Sequence, residues 1–194
     1  QDISDAWAVV RQARESGLRF KMLIGAGAGY SQLDKLRATF SKDIDNFCNI
    51  DPVPAQLLDP KKLAPGIGEL TNIMVERYKA KANATDVPPH CSMGFNQTWI
   101  LLNSVLPIAK EKYGGFDAEA VRKAALDVDI APGGTIQGYG VKFFPPGTQL
   151  AGQNERSTPV VMQNAGEHIS VVYPTNIRTQ DPVLPLPKSS VYAM

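Results

Sequence analysis

Phe20-Lys21-Met22-Leu23-Ile24-Gly25-Ala26-Gly27-Ala28-Gly29-Tyr30 is the stretch whose reading decides the fold. Phe20 to Gly25 is a short, largely apolar run ending on glycine, the pattern of a buried strand. Just upstream, Ala6, Val9, Val10 and Ala13 recur at helical spacing, with Arg11, Arg14 and Glu15 outside that face. This spacing predicts a helix over Asp5–Ser16, with Asp2 or Ser4 as N-cap and Gly17 as the stop. Helix, short loop, strand and glycine loop make the second half of a β-α-β unit. Residue 1 is Gln rather than Met, so the expectation is a removed leader or a fragment.

Outward from this stretch, helices and strands continue to alternate. A helix over Leu33–Phe40 and a strand near Asn46–Ile50 follow, then Asp51–Pro65, whose four prolines predict an irregular excursion. Leu70, Ile73, Met74 and Tyr78 predict an amphipathic helix over Ile67–Lys81. Val87-Pro88-Pro89 breaks the chain before a long helix, Ser92–Lys112, which Tyr113-Gly114-Gly115 ends. Asp117 caps a further helix that turns Ala120, Val121, Ala124 and Leu126 inward. From Thr135 the pattern shifts to alternation, with strands expected over Val141–Phe144, Pro159–Gln163 and His168–Tyr173, the last two joined through Asn164–Glu167. The tail over Asp181–Pro187 reads as extended. The fold class is α/β with late antiparallel additions.

Composition removes several functions. The 194 residues are 43% apolar and 20% charged, which is globular, and the net charge of +1 comes without a basic stripe, so a nucleic-acid partner is excluded. No run reaches the roughly 20 apolar residues that cross a bilayer. Trp99–Ala109 comes nearest and is interrupted by Asn103, Ser104 and Pro107. Cys48 and Cys91 are too few for a zinc site and lack redox spacing; whether they pair stays open. His90 and His168 stand far apart, and no Gly-x-Ser-x-Gly elbow is present. The glycine loop fails the dinucleotide pattern, because the third glycine position falls on Tyr30 or on Gln32. Its small residues either make a plain connection or let a ligand approach the backbone at the carboxyl end of a strand. Tyr30, Phe95, Trp99 and Tyr139 could line an apolar pocket, although the helical spacing of Phe95 and Trp99 also suits a core. The sequence offers no catalytic residue, metal ligand or cofactor site.

Several segments together resemble a known family. They are Val10–Leu18 leading into Phe20–Gly25 and the loop, then Gly94-Phe95-Asn96-Gln97-Thr98-Trp99 opening a helix, and Phe116–Leu126. Gly152-Gln153-Asn154, Val160–Gln163 and Val171-Val172-Tyr173-Pro174 complete the set. In this order they resemble the leucine/isoleucine/valine-binding protein family, the type I periplasmic binding proteins of ABC importers. The resemblance implies a periplasmic-binding-protein type I fold, mostly the second lobe of a two-lobed clamp and incomplete without the N-terminal half. It divides the chain into a second-lobe segment over 1–90, helices returning to the first lobe over 91–130, and a hinge passage with a β-rich return over 131–194.

The same resemblance implies a periplasmic or extracytoplasmic solute-binding protein that is not an enzyme and needs no cofactor or metal. Its partners would be a small-molecule solute, an ABC permease, and the missing N-terminal half or a second copy of the chain. Ligand contacts would come from Ala26, Gly27, Ala28, Gly29 and Tyr30, with Phe95 as an aromatic wall. Members that hold amino acids place an acid in this loop, and here there is none. A buried ammonium without a counter-charge is costly, so an aromatic or aliphatic carboxylate is expected rather than an α-amino acid. The alternatives are the sensor domain of a receptor or regulator, which shares the clamp, and a Rossmann-type oxidoreductase fragment.

Overall fold

The computed structural model describes residues 3–166 and 168–194, with Ala28, Leu33 and Asp34 placed through their backbone. The chain divides into two compact units, one of Gln1–Val53 with Pro159–Met194 and the other of Pro54–Thr158. These boundaries differ from the division at 90 and 130 that the resemblance suggests.

In the discontinuous unit, helix α1 (Ile3–Glu15) buries Ala6, Val10 and Ala13. Val9, expected on that face, is 51% exposed. Of the two expected caps, Ser4 lies inside the first turn, and Asp2 falls outside the described residues. Gly17 does stop the helix. At φ +63° it lets its own amide bond Arg14 O at 3.0 Å and the Leu18 amide bond Ala13 O at 3.0 Å, a paired closure that a residue with a Cβ enters at a cost.

The four-stranded sheet has the order β1 (Ile24–Ala26), β2 (Cys48–Asp51), β3 (Val160–Ala165) and β4 (His168–Tyr173). β1 runs parallel to β2, and the later pairs are antiparallel. The sheet is therefore mixed, as the early α/β alternation and late hairpin demand. The first strand is shorter than the apolar run. Phe20 makes a lone bridge to Ala193, and Lys21 O accepts from the Leu186 amide, so the tail takes the start of that run. The second strand begins at Cys48 because Asn46 has φ +66° and turns the chain. Of the expected β3–β4 connection, Glu167 lies outside the described residues.

The short helix α2 (Ala28–Ser31) and α3 (Leu33–Phe40) follow β1. Val10 and Ala13 of α1 share a core with Leu36, Phe40, Ile44 and Phe47. Two residues of the tail, Leu186 and Tyr192, complete it. Tyr192 is fully buried, its ring 5.3 Å from that of Phe47, and its hydroxyl donates to Val10 O at 3.2 Å. The extended tail is thus a staple, and burying two such side chains contributes about 2 kcal/mol each.

The second unit is mainly helical: α4 (Ile67–Ala82), α5 (Pro89–Ile100), α6 (Leu106–Tyr113) and α7 (Ala118–Asp127). The expected irregular stretch carries two single 3-10 turns, Ala55–Leu57 and Pro60–Lys62. On α4, Thr71 and Met74 are buried, whereas Ile73, expected inward, is 41% exposed. The long helix predicted over Ser92–Lys112 starts earlier, with Pro89 in its first turn, and is interrupted by a wide π turn over Leu101–Val105. Pro107 explains the interruption: it has no amide to offer Asn103 O, and its ring would strike that carbonyl. The Leu106 amide instead bonds Leu101, five residues back, while the Asn103 side chain donates to Trp99 O at 3.0 Å.

Val141–Phe144 is not a strand. It makes only lone bridges, Ile130 with Val141 and Phe143 with Asn154. The Asn154 side chain supports this segment, accepting from the Lys142 and Arg156 amides at 3.0 and 3.1 Å and donating to Gly140 O at 2.9 Å. Gly140 is obligatory here, since a Cβ would sit 2.2 Å from Ile130 O.

Asp117 caps α7 as predicted, accepting from the Glu119 and Ala120 amides at 3.0 Å each. Asp117→Ala should lower the stability of the protein by about 1 kcal/mol, read as a shift in urea midpoint, with Asp117→Asn or Asp117→Ser retaining most of it.

Candidate functional site

The loop after β1 lies at the carboxyl end of the parallel pair β1–β2, the end where open α/β sheets hold ligands. Three contacts shape it. The Gly27 amide donates to Ile50 O at 3.0 Å, joining the loop to β2, and Gly27 O accepts from the Tyr30 amide at 3.1 Å. Gly27 has φ +89° and ψ −174°, a backbone conformation open to glycine almost alone. The Trp7 indole N–H donates to Gly29 O at 2.8 Å and ties the loop to α1.

Tyr30 turns back rather than outward. Its ring rests on Gly25, where a Cβ would lie 2.2 Å from Cδ2, and its hydroxyl donates to Ala6 O at 3.4 Å. Burial pushes the Tyr30 phenol up from its ordinary pKa. The glycine at 25 is therefore the seat of an aromatic ring. Of the predicted ligand residues, Ala26 is exposed, Gly27 half-buried, Gly29 buried and Tyr30 half-buried, all on one loop; Ala28 is placed by its backbone.

Phe95 belongs to the other unit. It packs beside the core of Ala55, Met74, Val87 and Ile136 and stacks on Trp99, the rings 6.1 Å apart and 15° from parallel. Tyr139, in the same unit, donates through its hydroxyl to Gln137 Oε1 at 2.7 Å, and burial pushes its phenol up.

Sequence reasoning missed two polar residues on β2. Asn49, across from Gly25 in the register, is 4% exposed, and neither polar atom of its side chain has a hydrogen-bond partner among the described residues. Asp51, two positions on and so on the same face, is 8% exposed and engaged within the protein. The signal was present in Cys48-Asn49-Ile50-Asp51, where polar residues alternate through a buried strand. Both cysteines are free thiols. Burial pushes the Cys48 thiol up, and Cys91 lies 3.5 Å from the Tyr78 oxygen. Among the described residues no group of three or more His, Cys, Asp or Glu could hold a metal, and no helix is long and apolar enough to cross a membrane.

With this geometry in hand, comparison with known proteins gives the class first. The chain has a TM-score of 0.57 against a leucine-binding protein from Thermotoga maritima, at 19% identity over 87% of this chain and 41% of that one. Against an extracellular ligand-binding receptor from Rhodopseudomonas palustris the TM-score is 0.59, at 19% identity over 85% of this chain and 44% of the other. The fold is that of the type I periplasmic binding proteins. In sequence, the chain is 32% identical over 171 residues to Leu/Ile/Val-binding protein homolog 7 of Brucella suis, and 29% identical over 173 residues to homolog 8 of Brucella abortus. No family model matches. The resemblance carried by the ordered segments is thus shown: over 88% of its length the chain is similar to Leu/Ile/Val-binding protein homologues, of whose length it spans 39%.

The Gly25–Tyr30 contact is open to a direct test. Gly25→Ala should destabilise the protein by about 1–3 kcal/mol, because the ring must leave its seat. In a Tyr30→Ala background most of that loss should vanish, and thermal or urea unfolding of the double-mutant cycle reads the coupling.

Proposed function

We propose that this chain is part of an extracytoplasmic solute-binding protein that delivers a small organic molecule to an ABC permease and does not transform it. One observation supports this most: a glycine loop, closed by Gly27 and Tyr30, stands at the carboxyl end of a parallel strand pair in a chain similar to Leu/Ile/Val-binding protein homologues. In this reading the unit of Gln1–Val53 and Pro159–Met194 belongs to the second lobe. Ala26, Gly27, Ala28, Gly29 and Tyr30 supply the ligand contacts of the discontinuous unit. The solute favours the closed clamp through its different contacts in the open and closed states, and closure is what the permease reads.

The ligand we propose is an aromatic or aliphatic carboxylate. The loop has no acid, and Asp51 is engaged within the fold, so nothing in the loop grips an ammonium. A carboxylate instead meets no like charge in the loop. A thermal-shift screen of the intact protein tests this. Aromatic or aliphatic carboxylates should stabilise it, by about 2.7 kcal/mol at a hundred times Kd. Leucine, isoleucine and valine should leave the melting temperature unchanged; a shift with those amino acids alone contradicts the reading.

A further inference from the structure

We infer that Asn49 is the residue that selects the solute: it binds a hydroxyl next to the carboxylate, so the ligands are α-hydroxy carboxylates. The inference rests on the solute-binding reading for the place of the site and deepens it by naming the head group. Asn49 stands level with Gly25 across the parallel pair β1–β2. Side chains level with each other on neighbouring strands, about 4.8 Å apart, project to one face of the sheet. On Gly25 the place of a side chain is taken by the Tyr30 ring, which a Cβ there would strike. The ring therefore lies over the same face, next to Asn49. Asn49 itself is 4% exposed, and neither its Oδ1 nor its Nδ2 has a hydrogen-bond partner among the described residues.

Such a residue destabilises the solute-free protein. A buried carboxamide without partners gives up its hydration unrewarded, and an apolar side chain of similar size would suit the strand better. A local rule broken in this way marks a place where function, not folding, sets the residue. The cover is lightly held. The Tyr30 hydroxyl reaches Ala6 O at 3.4 Å, long for a hydroxyl donor, whereas the loop backbone is fixed separately through Gly27 and Gly29. The ring can turn about its side-chain torsions and expose Asn49 while the loop stays in place. Chemistry then selects the head group. Oδ1 accepts, Nδ2 donates, and a hydroxyl does both, so one hydroxyl closes a cyclic pair with the carboxamide. A bare carboxylate only accepts and would leave Oδ1 unmet. From the level of Gly25 to Ala26 is one strand residue, about 3.3 Å, which suits a hydroxyl on the carbon beside the carboxylate. The carboxylate then lies against a loop that has no acid.

Calorimetric titration of the intact protein tests this with two pairs of acids, mandelate against phenylacetate and α-hydroxyisocaproate against isocaproate. In at least one pair the hydroxy acid should bind roughly ten-fold or more tightly than its deoxy partner. Asn49→Leu should remove most of that preference and raise the urea midpoint, because it deletes a buried, unbonded amide. A second readout needs no variant: the Asn49 side-chain NH2 resonances should shift more with the hydroxy acid than with the deoxy acid. Equal binding within both pairs overturns the inference and leaves the carboxylate reading standing. An Asn49→Leu protein that keeps the preference, or NH2 resonances that do not respond to the hydroxy acid, also overturns it. Mandelamide and phenylacetamide separate the other failure. Preference for the hydroxylated amide, with no binding of any acid, overturns the carboxylate reading and supports Asn49 as the partner of the hydroxyl. Binding of none of these compounds overturns both.

Discussion

The hydrogen bond from the Gly27 amide to Ile50 O, 3.0 Å long, is the last rung of the parallel ladder between β1 and β2. It fixes where the strand stops and where the loop begins. Because Gly27 takes φ +89° there, the chain turns sharply and lays Tyr30 back over Gly25. Trp7 then closes the loop onto α1 through Gly29 O. Three glycines have different duties: a seat at Gly25, a turn at Gly27 and a buried acceptor at Gly29. Small residues serve the frame first and any solute second.

Much of this was legible in the sequence. α1, α3, α4 and α7 show their apolar spacing or caps plainly, and Asp117 and Gly17 act as their residue types require. The mixed character of the sheet followed from the shift to alternation after Thr135. What stayed hidden depended on contacts between residues distant in sequence. Tyr192 enters the core beside Phe47, which no local pattern near the C-terminus announces. Val141–Phe144 alternates like a strand, yet Asn154 holds it as a loop through side-chain bonds. The run from Phe20 reads as a strand, but its start, Phe20 and Lys21, is taken up by the tail. At the site, the loop itself was readable. The buried amide of Asn49 behind it was not, because a polar residue in a short strand is ordinarily assigned to a wet face.

Charge sets the chemistry of the proposed ligand. The loop contributes backbone and small side chains but no carboxylate, while Asp51 is buried on β2 and engaged within the protein. A cationic group brought against such a surface would lose its water without gaining a counter-ion, at a cost of several kcal/mol. An anionic group meets no like charge in the loop. The phenol of Tyr30, raised by burial, stays protonated near neutrality and adds no repulsion.

The central claim is that the carboxyl end of β1 faces the solute. Backbone amide resonances of the intact protein, followed by NMR during titration with the carboxylate that stabilises it, test this most directly. The account predicts saturable shifts centred on Ala26, Gly27 and Gly29, with the solute recovered unchanged afterwards. Shifts that spare this loop altogether, or a solute chemically altered on incubation, would contradict it.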